Sequence, residues 1–112
     1  NAVGPAQRNV VIFTAKVSKN NIEKYQELMD SDAGLTITRN WEGCTHVEAF
    51  YNDETETYFI YEYWDSFEQY EEYLDWRINT EEPNFVESVI PLVKGGENGM
   101  QAHYNNTYYN FY

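Results

Sequence analysis

The densest run of aromatic and β-branched side chains is Thr57–Trp64, reading TYFIYEYW, with polar DETE before it and Asp65-Ser66 after. Such a run predicts a β-strand. Alternation puts Tyr58, Ile60, Glu62 and Trp64 on one face and Thr57, Phe59, Tyr61 and Tyr63 on the other. Both faces are mostly apolar, which predicts a central strand covered on both sides. Glu62 is a single carboxylate on one of these apolar faces, and it marks the first candidate site.

The same reading orders the rest of the chain. Asn1–Arg8, with Gly4 and Pro5, reads as a loose arm, and Asn9–Val17 as the first strand. In that strand Val10, Ile12 and Thr14 alternate with Val11, Phe13 and Ala15. Ile22, Tyr25, Leu28 and Met29 then recur at helical spacing, with Asn20 as N-cap and Glu23 three residues on. Gly34 predicts a kink or restart before Leu35. Cys44–Tyr51 is the second strand, joined through Asn52–Glu56 to the central one. Phe67, Tyr70, Leu74 and Ile78 form the stripe of a second main helix, opened by Asp65 with Glu68 or by Ser66 with Gln69. Pro83 breaks it, a short helix from Phe85 stops at Pro91, and a last strand lies in the tail from Asn98.

The order β-α-β-β-α-(α)-β predicts an α+β fold, the split βαβ of a ferredoxin-like sheet with its helices on one face. The expected unit is one domain over residues 1–112, with 1–8 as the arm and 97–112 as last strand and aromatic tail. The sheet face opposite the helices keeps rings such as Phe59, Tyr61 and Tyr63 and needs a cover. A second copy supplies one, so a homodimer is expected.

Eleven tyrosines and three tryptophans offer large apolar area with polar tips, which suits an interface or a pocket for a bulky ligand. The net charge of −12 argues against nucleic acid or an anionic membrane surface as partner. No apolar run reaches the roughly 20 residues of a membrane span. A cytoplasmic protein is expected, and a start at Asn1 is also compatible with a removed signal peptide. Cys44, the single cysteine, reads as a small core residue. His46, Glu48 and His103 are metal-ligand types, but nothing in their spacing makes them converge, and no metal site is expected.

Two motifs add a resemblance. Trp41-Glu42-Gly43-Cys44 resembles the E-P-G-C turn of antibiotic biosynthesis monooxygenase-like domains, and Glu62-Tyr63-Trp64-Asp65-Ser66 resembles their E-x-W-x-S motif. Element order agrees from Asn9 to Val93. The resemblance implies a dimeric α+β barrel and, in the best-understood members, oxygenation of polycyclic aromatics without metal or flavin, hence no cofactor. It implies a pocket between sheet and helices in which Trp64 and Tyr70 match a Trp and a Tyr. The Asn of those members falls on Ile60. The Asn and His of haem-degrading members have no counterpart near Thr14-Ala15 or Asp75–Ile78.

The expected site therefore has Trp64, Tyr70 and Glu62 as its chemical groups. Tyr58, Ile60, Phe67, Leu74, Ile12 and Thr14 form its ligand-binding walls. Glu62 is either a general base with a raised pKa or one half of a structural pair with a backbone amide, Lys16 or Arg77. Two functions stay open. One is a cofactor-independent monooxygenase or isomerase acting on a bulky hydrophobic substrate, and the other is a dimer that binds an aromatic, polyketide or lipid-like molecule without turnover.

Overall fold

The computed structural model describes residues 2–111, with side chains from residue 7 onward. Strand β1 spans Ala2–Lys16, β2 Cys44–Asn52, β3 Thr57–Trp64 and β4 Met100–Phe111. They form one antiparallel sheet in the order β2-β3-β1-β4. Helices α1 (Ile22–Asp30) and α2 (Leu35–Asn40) follow β1, and α3 (Phe67–Asn79) and α4 (Phe85–Val89) follow β3.

The register sorts the side chains. Val11 lies opposite Glu62, Phe13 opposite Ile60 and Ala15 opposite Tyr58, while Ala102 and Tyr104 of β4 face Phe13 and Val11. These residues share the inner face under the helices. Val11 and Ala15 are fully buried there, as are Tyr58, Ile60, Glu62 and Trp64 to within a few per cent. Ile12, Thr14, Phe59, Tyr61 and Tyr63 point to the outer face, where all are half-buried and Phe50 is exposed.

Helices begin and end for local reasons. Ser66 Oγ accepts from the Gln69 amide at 3.2 Å, so of the two capping boxes the Ser66–Gln69 pair forms. At α1 the N-cap is Asn21 rather than Asn20, and its side chain bonds Leu92 O instead of capping. The break at Gly34 is real. A Cβ there would stand 2.1 Å from Met29 O, so only glycine lets α2 restart so close to the end of α1. Pro91 does not stop the chain's coiling at once, because a 3-10 turn continues α4 through Ile90–Leu92.

The loose arm of residues 1–8 is corrected, with Asn1 outside the described residues. Ala2–Arg8 extends β1, because the C-terminal half of β4 offers it a partner, with Ala2 opposite Phe111 and Ala6 opposite Tyr108. Gly4 and Pro5 sit where the register shifts, which is where a strand tolerates a residue without an amide hydrogen. The tail is correspondingly a strand along an edge of the sheet. Tyr104 packs on Phe67 and Tyr70, but Tyr109 and Phe111 remain 56% and 72% exposed. Tyr112 lies outside the described residues.

Candidate functional site

Between the inner sheet face and the helices lies a cavity of about 480 Å³. Phe13, Ile60, Glu62 and Met100 form its floor, and Tyr25, Tyr70, Tyr73 and Phe85 are among its helical walls. Its existence follows from the broken first helix. Instead of one long rod over the sheet, α1 and α2 are two short pieces with Leu35 at the restart, and α4 closes the side with Val86 and Val89, followed by Ile90 of the 3-10 turn.

Glu62 enters this space from β3. Trp64 Nε1 donates to Glu62 Oε1 at 3.1 Å, and this is the carboxylate's hydrogen bond within the described protein. Burial pushes the carboxyl up to about 7, against the opposing effects of the Trp64 bond and the Arg77 charge. Tyr70 lines the cavity with its hydroxyl free of hydrogen bonds among the described residues, and burial raises its pKa. Tyr25 is fully buried with its ring 4.8 Å from Tyr58, and its hydroxyl has no hydrogen-bond partner among the described residues. Buried polar atoms are almost always satisfied, so this hydroxyl, sealed inside the core with no accessible surface, is an exception of the packing and not a contact open to the cavity.

Arg77 is the cation of the cavity, and it is fully used. Its Nε donates to Tyr73 Oη at 2.9 Å. Nη1 donates to Ala33 O and Glu81 Oε2, both at 2.7 Å. Nη2 donates to Gly34 O at 2.8 Å and lies 3.4 Å from Thr38 Oγ1. The two carbonyls belong to the α1–α2 break, where Gly34 O also accepts from the Ile37 amide at 3.2 Å. Arg77 thus ties the break to α3, and Phe85 stacks on its guanidinium at 4.5 Å.

The expected site residues divide. Glu62, Tyr70, Ile60 and Leu74 line the cavity. Trp64 stands behind it, with its ring against Tyr70 and Tyr73 at 5.6 and 5.5 Å. Tyr58 supports Tyr25 and bonds Gln26 Oε1 at 2.7 Å, and Phe67 packs on Tyr104, so both back the cavity rather than face it. Ile12 and Thr14 are corrected: pairing with Tyr61 and Phe59 puts them on the opposite sheet face. The suggested pairs of Glu62 do not form, because Lys16 bonds Thr57 and Arg77 bonds Glu81.

Tyr25 and Tyr73 escaped the sequence reading of the site, and Arg77 entered it only as a suggested partner of Glu62. A signal existed, since Tyr70, Tyr73 and Arg77 follow at three and four residues and are the buried face of α3, while Ile78 is 53% exposed. His46 and Glu48 pair at 3.2 Å on the outer face of β2, an edge strand. His103 lies on β4 at the other edge, three strand spacings or about 14 Å away. No cluster suited to a metal occurs among the described residues. Burial pushes the Cys44 thiol up to about 11, away from nucleophilic use.

Seven solved chains match this one in structure. One is the crystal structure of a dimeric ferredoxin-like protein from an uncultured marine organism. It aligns with a TM-score of 0.63 at 15% identity, over 91% of this chain and 87% of that one. The fold is ferredoxin-like. No protein-family model and no curated protein matches the sequence. Within the ferredoxin-like sheet the cavity takes the inner face, and no helix of the described residues is long and apolar enough to cross a membrane.

Proposed function

We propose that this chain is a homodimeric small-molecule pocket protein that binds a bulky hydrophobic ligand between sheet and helices. The observation that carries the reading is the cavity of about 480 Å³, within the usual range for ligand sites, with mainly apolar walls and a few polar groups. Glu62 and Tyr70 supply the polar points, and each has an oxygen without a hydrogen-bond partner among the described residues. The homodimer is supported by the half-buried outer-face rings and by the dimeric state of the ferredoxin-like neighbour. Mass spectrometry of the natively purified protein, followed by titration of the extracted molecule, tests the binding. Loss of affinity in Tyr70→Phe is expected. Absence of any bound or titratable hydrophobic molecule overturns the reading.

Turnover is a second reading, favoured by the position of Glu62 beside Tyr70 with its carboxyl held at about 7. A base of that strength can take a proton from a bound hydroxyl at neutral pH. The resemblance to cofactor-independent monooxygenases would then make dioxygen the co-substrate. Ile60, which lines the cavity floor, offers no amide where those enzymes have an Asn. Oxygen consumption with the extracted ligand distinguishes turnover from binding.

A further inference from the structure

We propose that the cavity is built for a hydrophobic organic cation, a protonated alkyl- or arylamine, with its ammonium against Glu62 and its hydrocarbon body among the aromatic walls. The proposal rests on the pocket reading above and narrows its ligand by charge. Five of the wall residues are aromatic: Phe13, Tyr25, Tyr70, Tyr73 and Phe85. Ring faces attract cations, and a carboxylate set among them completes the usual environment for an ammonium.

Charge accounting excludes the anionic alternative. Arg77 is the cation of the lining, and all five of its N–H groups are committed to Tyr73, Ala33, Glu81, Gly34 and Thr38. A ligand carboxylate would find no free donor of positive charge and would face Glu62. Two further carboxylates, Glu87 and Glu97, line the cavity from exposed positions, which favours entry of cations over anions. A neutral ligand meets Glu62 equally well as the protonated acid, whereas an ammonium selects its carboxylate form. The Tyr70 hydroxyl lines the cavity and makes no hydrogen bond among the described residues, so it gives the ligand a second polar contact.

The groups that face Glu62 are Trp64 on its own strand, Arg77, Tyr70 and Tyr73 on α3, Cys44 on β2 and the apolar Val11 on β1. Among the titratable ones only Glu62 changes charge near neutrality, since burial pushes its carboxyl to about 7 and raises Tyr70, Tyr73 and Cys44. Amine affinity should therefore rise as pH increases through about 7, where Glu62 ionises, and fall again as the amine itself loses its proton near ~10.

The test is calorimetric titration of the full chain with n-octylamine, n-octanol and n-octanoate at about pH 8 and fixed physiological salt. The amine should bind roughly tenfold or more tightly than the alcohol, with octanoate weakest. Glu62→Gln should bring the amine down to the alcohol and leave the alcohol unchanged. Glu68→Gln, an exposed change outside the cavity, should preserve the order and so separate the site from the overall negative charge. Should Glu62→Gln not fold, the wild-type profile decides: amine affinity must drop between about pH 8 and pH 6 while alcohol affinity stays level. Alcohol or octanoate binding as tightly as the amine overturns the cation proposal and leaves the pocket reading standing. Failure of all three to bind overturns both.

Discussion

Trp64 holds Glu62 by a hydrogen bond between residues two apart on one strand face, indole Nε1 to carboxylate Oε1 at 3.1 Å. The two side chains lean toward each other because helix α3 covers the strand, and no backbone amide is free to serve the carboxylate there. The bond fixes one oxygen of Glu62 and leaves the other toward the cavity. In the proposed site Trp64 would thus be a positioning residue, with its effect on a ligand passing through Glu62.

Removing the indole N–H should raise the Glu62 pKa above about 7, since that bond is the first of the effects holding it down. Trp64→Phe keeps most of the ring volume and loses the donor. The midpoint of the pH dependence of ligand binding should therefore move to higher pH in Trp64→Phe. Trp64→Ala should instead cost roughly 3–5 kcal/mol of stability, as loss of a buried ring does. An unmoved midpoint in Trp64→Phe would show that the bond does not control the carboxylate.

Glu62 also predicts a pH dependence of stability. Its folded pKa, about 7, lies above the ordinary value of 4.5, so between the two the native state keeps a proton that the unfolded chain has lost. The stabilising effect of that proton is complete below about 4.5 and disappears as pH rises through about 7. The difference corresponds to about 3 kcal/mol at ~1.4 kcal/mol per pH unit. Glu62→Gln still accepts the Trp64 bond and never ionises. Urea unfolding should show it gaining about 3 kcal/mol relative to wild type between pH ~4.5 and ~8, and a constant difference across that range would contradict the assignment.

The fold was legible because its signals are local and periodic. TYFIYEYW is β3 to the residue, and Gly34 marked the helix break. The dense inner face of β3 also pointed to Glu62, and Tyr70 came from the stripe of the following helix and from the resemblance. What was not legible depends on register and on long-range partners. Ile12 and Thr14 were assigned to the wrong sheet face because alternation defines two faces without saying which one meets the helices; the β1–β3 pairing decides. Arg77 was legible only as a possible partner of Glu62, whereas its actual partners include the carbonyls of Ala33 and Gly34, more than forty positions away. The Ala2–Arg8 segment was unreadable as strand because Gly4 and Pro5 disfavour one, and its partner lies at the other end of the chain.

Arg77 should be among the most sensitive positions in the chain. Arg77→Ala leaves Glu81 buried without its ion-pair partner and removes a donor from the Ala33 and Gly34 carbonyls, of which Gly34 keeps only the Ile37 amide, and should cost ~3–5 kcal/mol. Arg77→Lys keeps the charge but offers three donors without the planar fork, so a large part of the loss should remain. Equilibrium denaturation of both variants checks this. A nearly wild-type Arg77→Lys would mean that charge alone matters at the break.

The outer sheet face gives a solution prediction. Ile12, Phe59, Tyr61 and Tyr63 are half-buried in the single chain, and Phe50 is 51% exposed with its ring 5.5 Å from Tyr61. A second copy packed there should bury about 1,200–2,000 Å² in total. Light scattering should report a dimer at micromolar concentration, and Tyr61→Glu, which places a charge in the middle of that face, should give a monomer that retains its fold. A monomeric wild type would remove the dimer from the reading.

The last prediction concerns the two ends of the chain. β3 pairs with β1 only from Asn9 to Lys16, so Ala2–Arg8 and Thr107–Phe111 continue past it as a two-stranded ribbon. An isolated two-stranded ribbon is marginal in water. This one carries exposed Tyr109 and Phe111, and its visible internal support is the Arg8 guanidinium 4.5 Å over the Tyr108 ring. Its persistence needs a surface to lie on, and in a dimer joined through the outer face the ribbon is long enough to reach the partner. Truncation after Asn105 should therefore weaken dimerisation and speed amide exchange in the remaining Ala2–Arg8 segment, with the cavity and its ligand affinity unchanged. If the truncated chain dimerises as tightly as the full one, the ribbon is an independent hairpin and the partner contact is wrong.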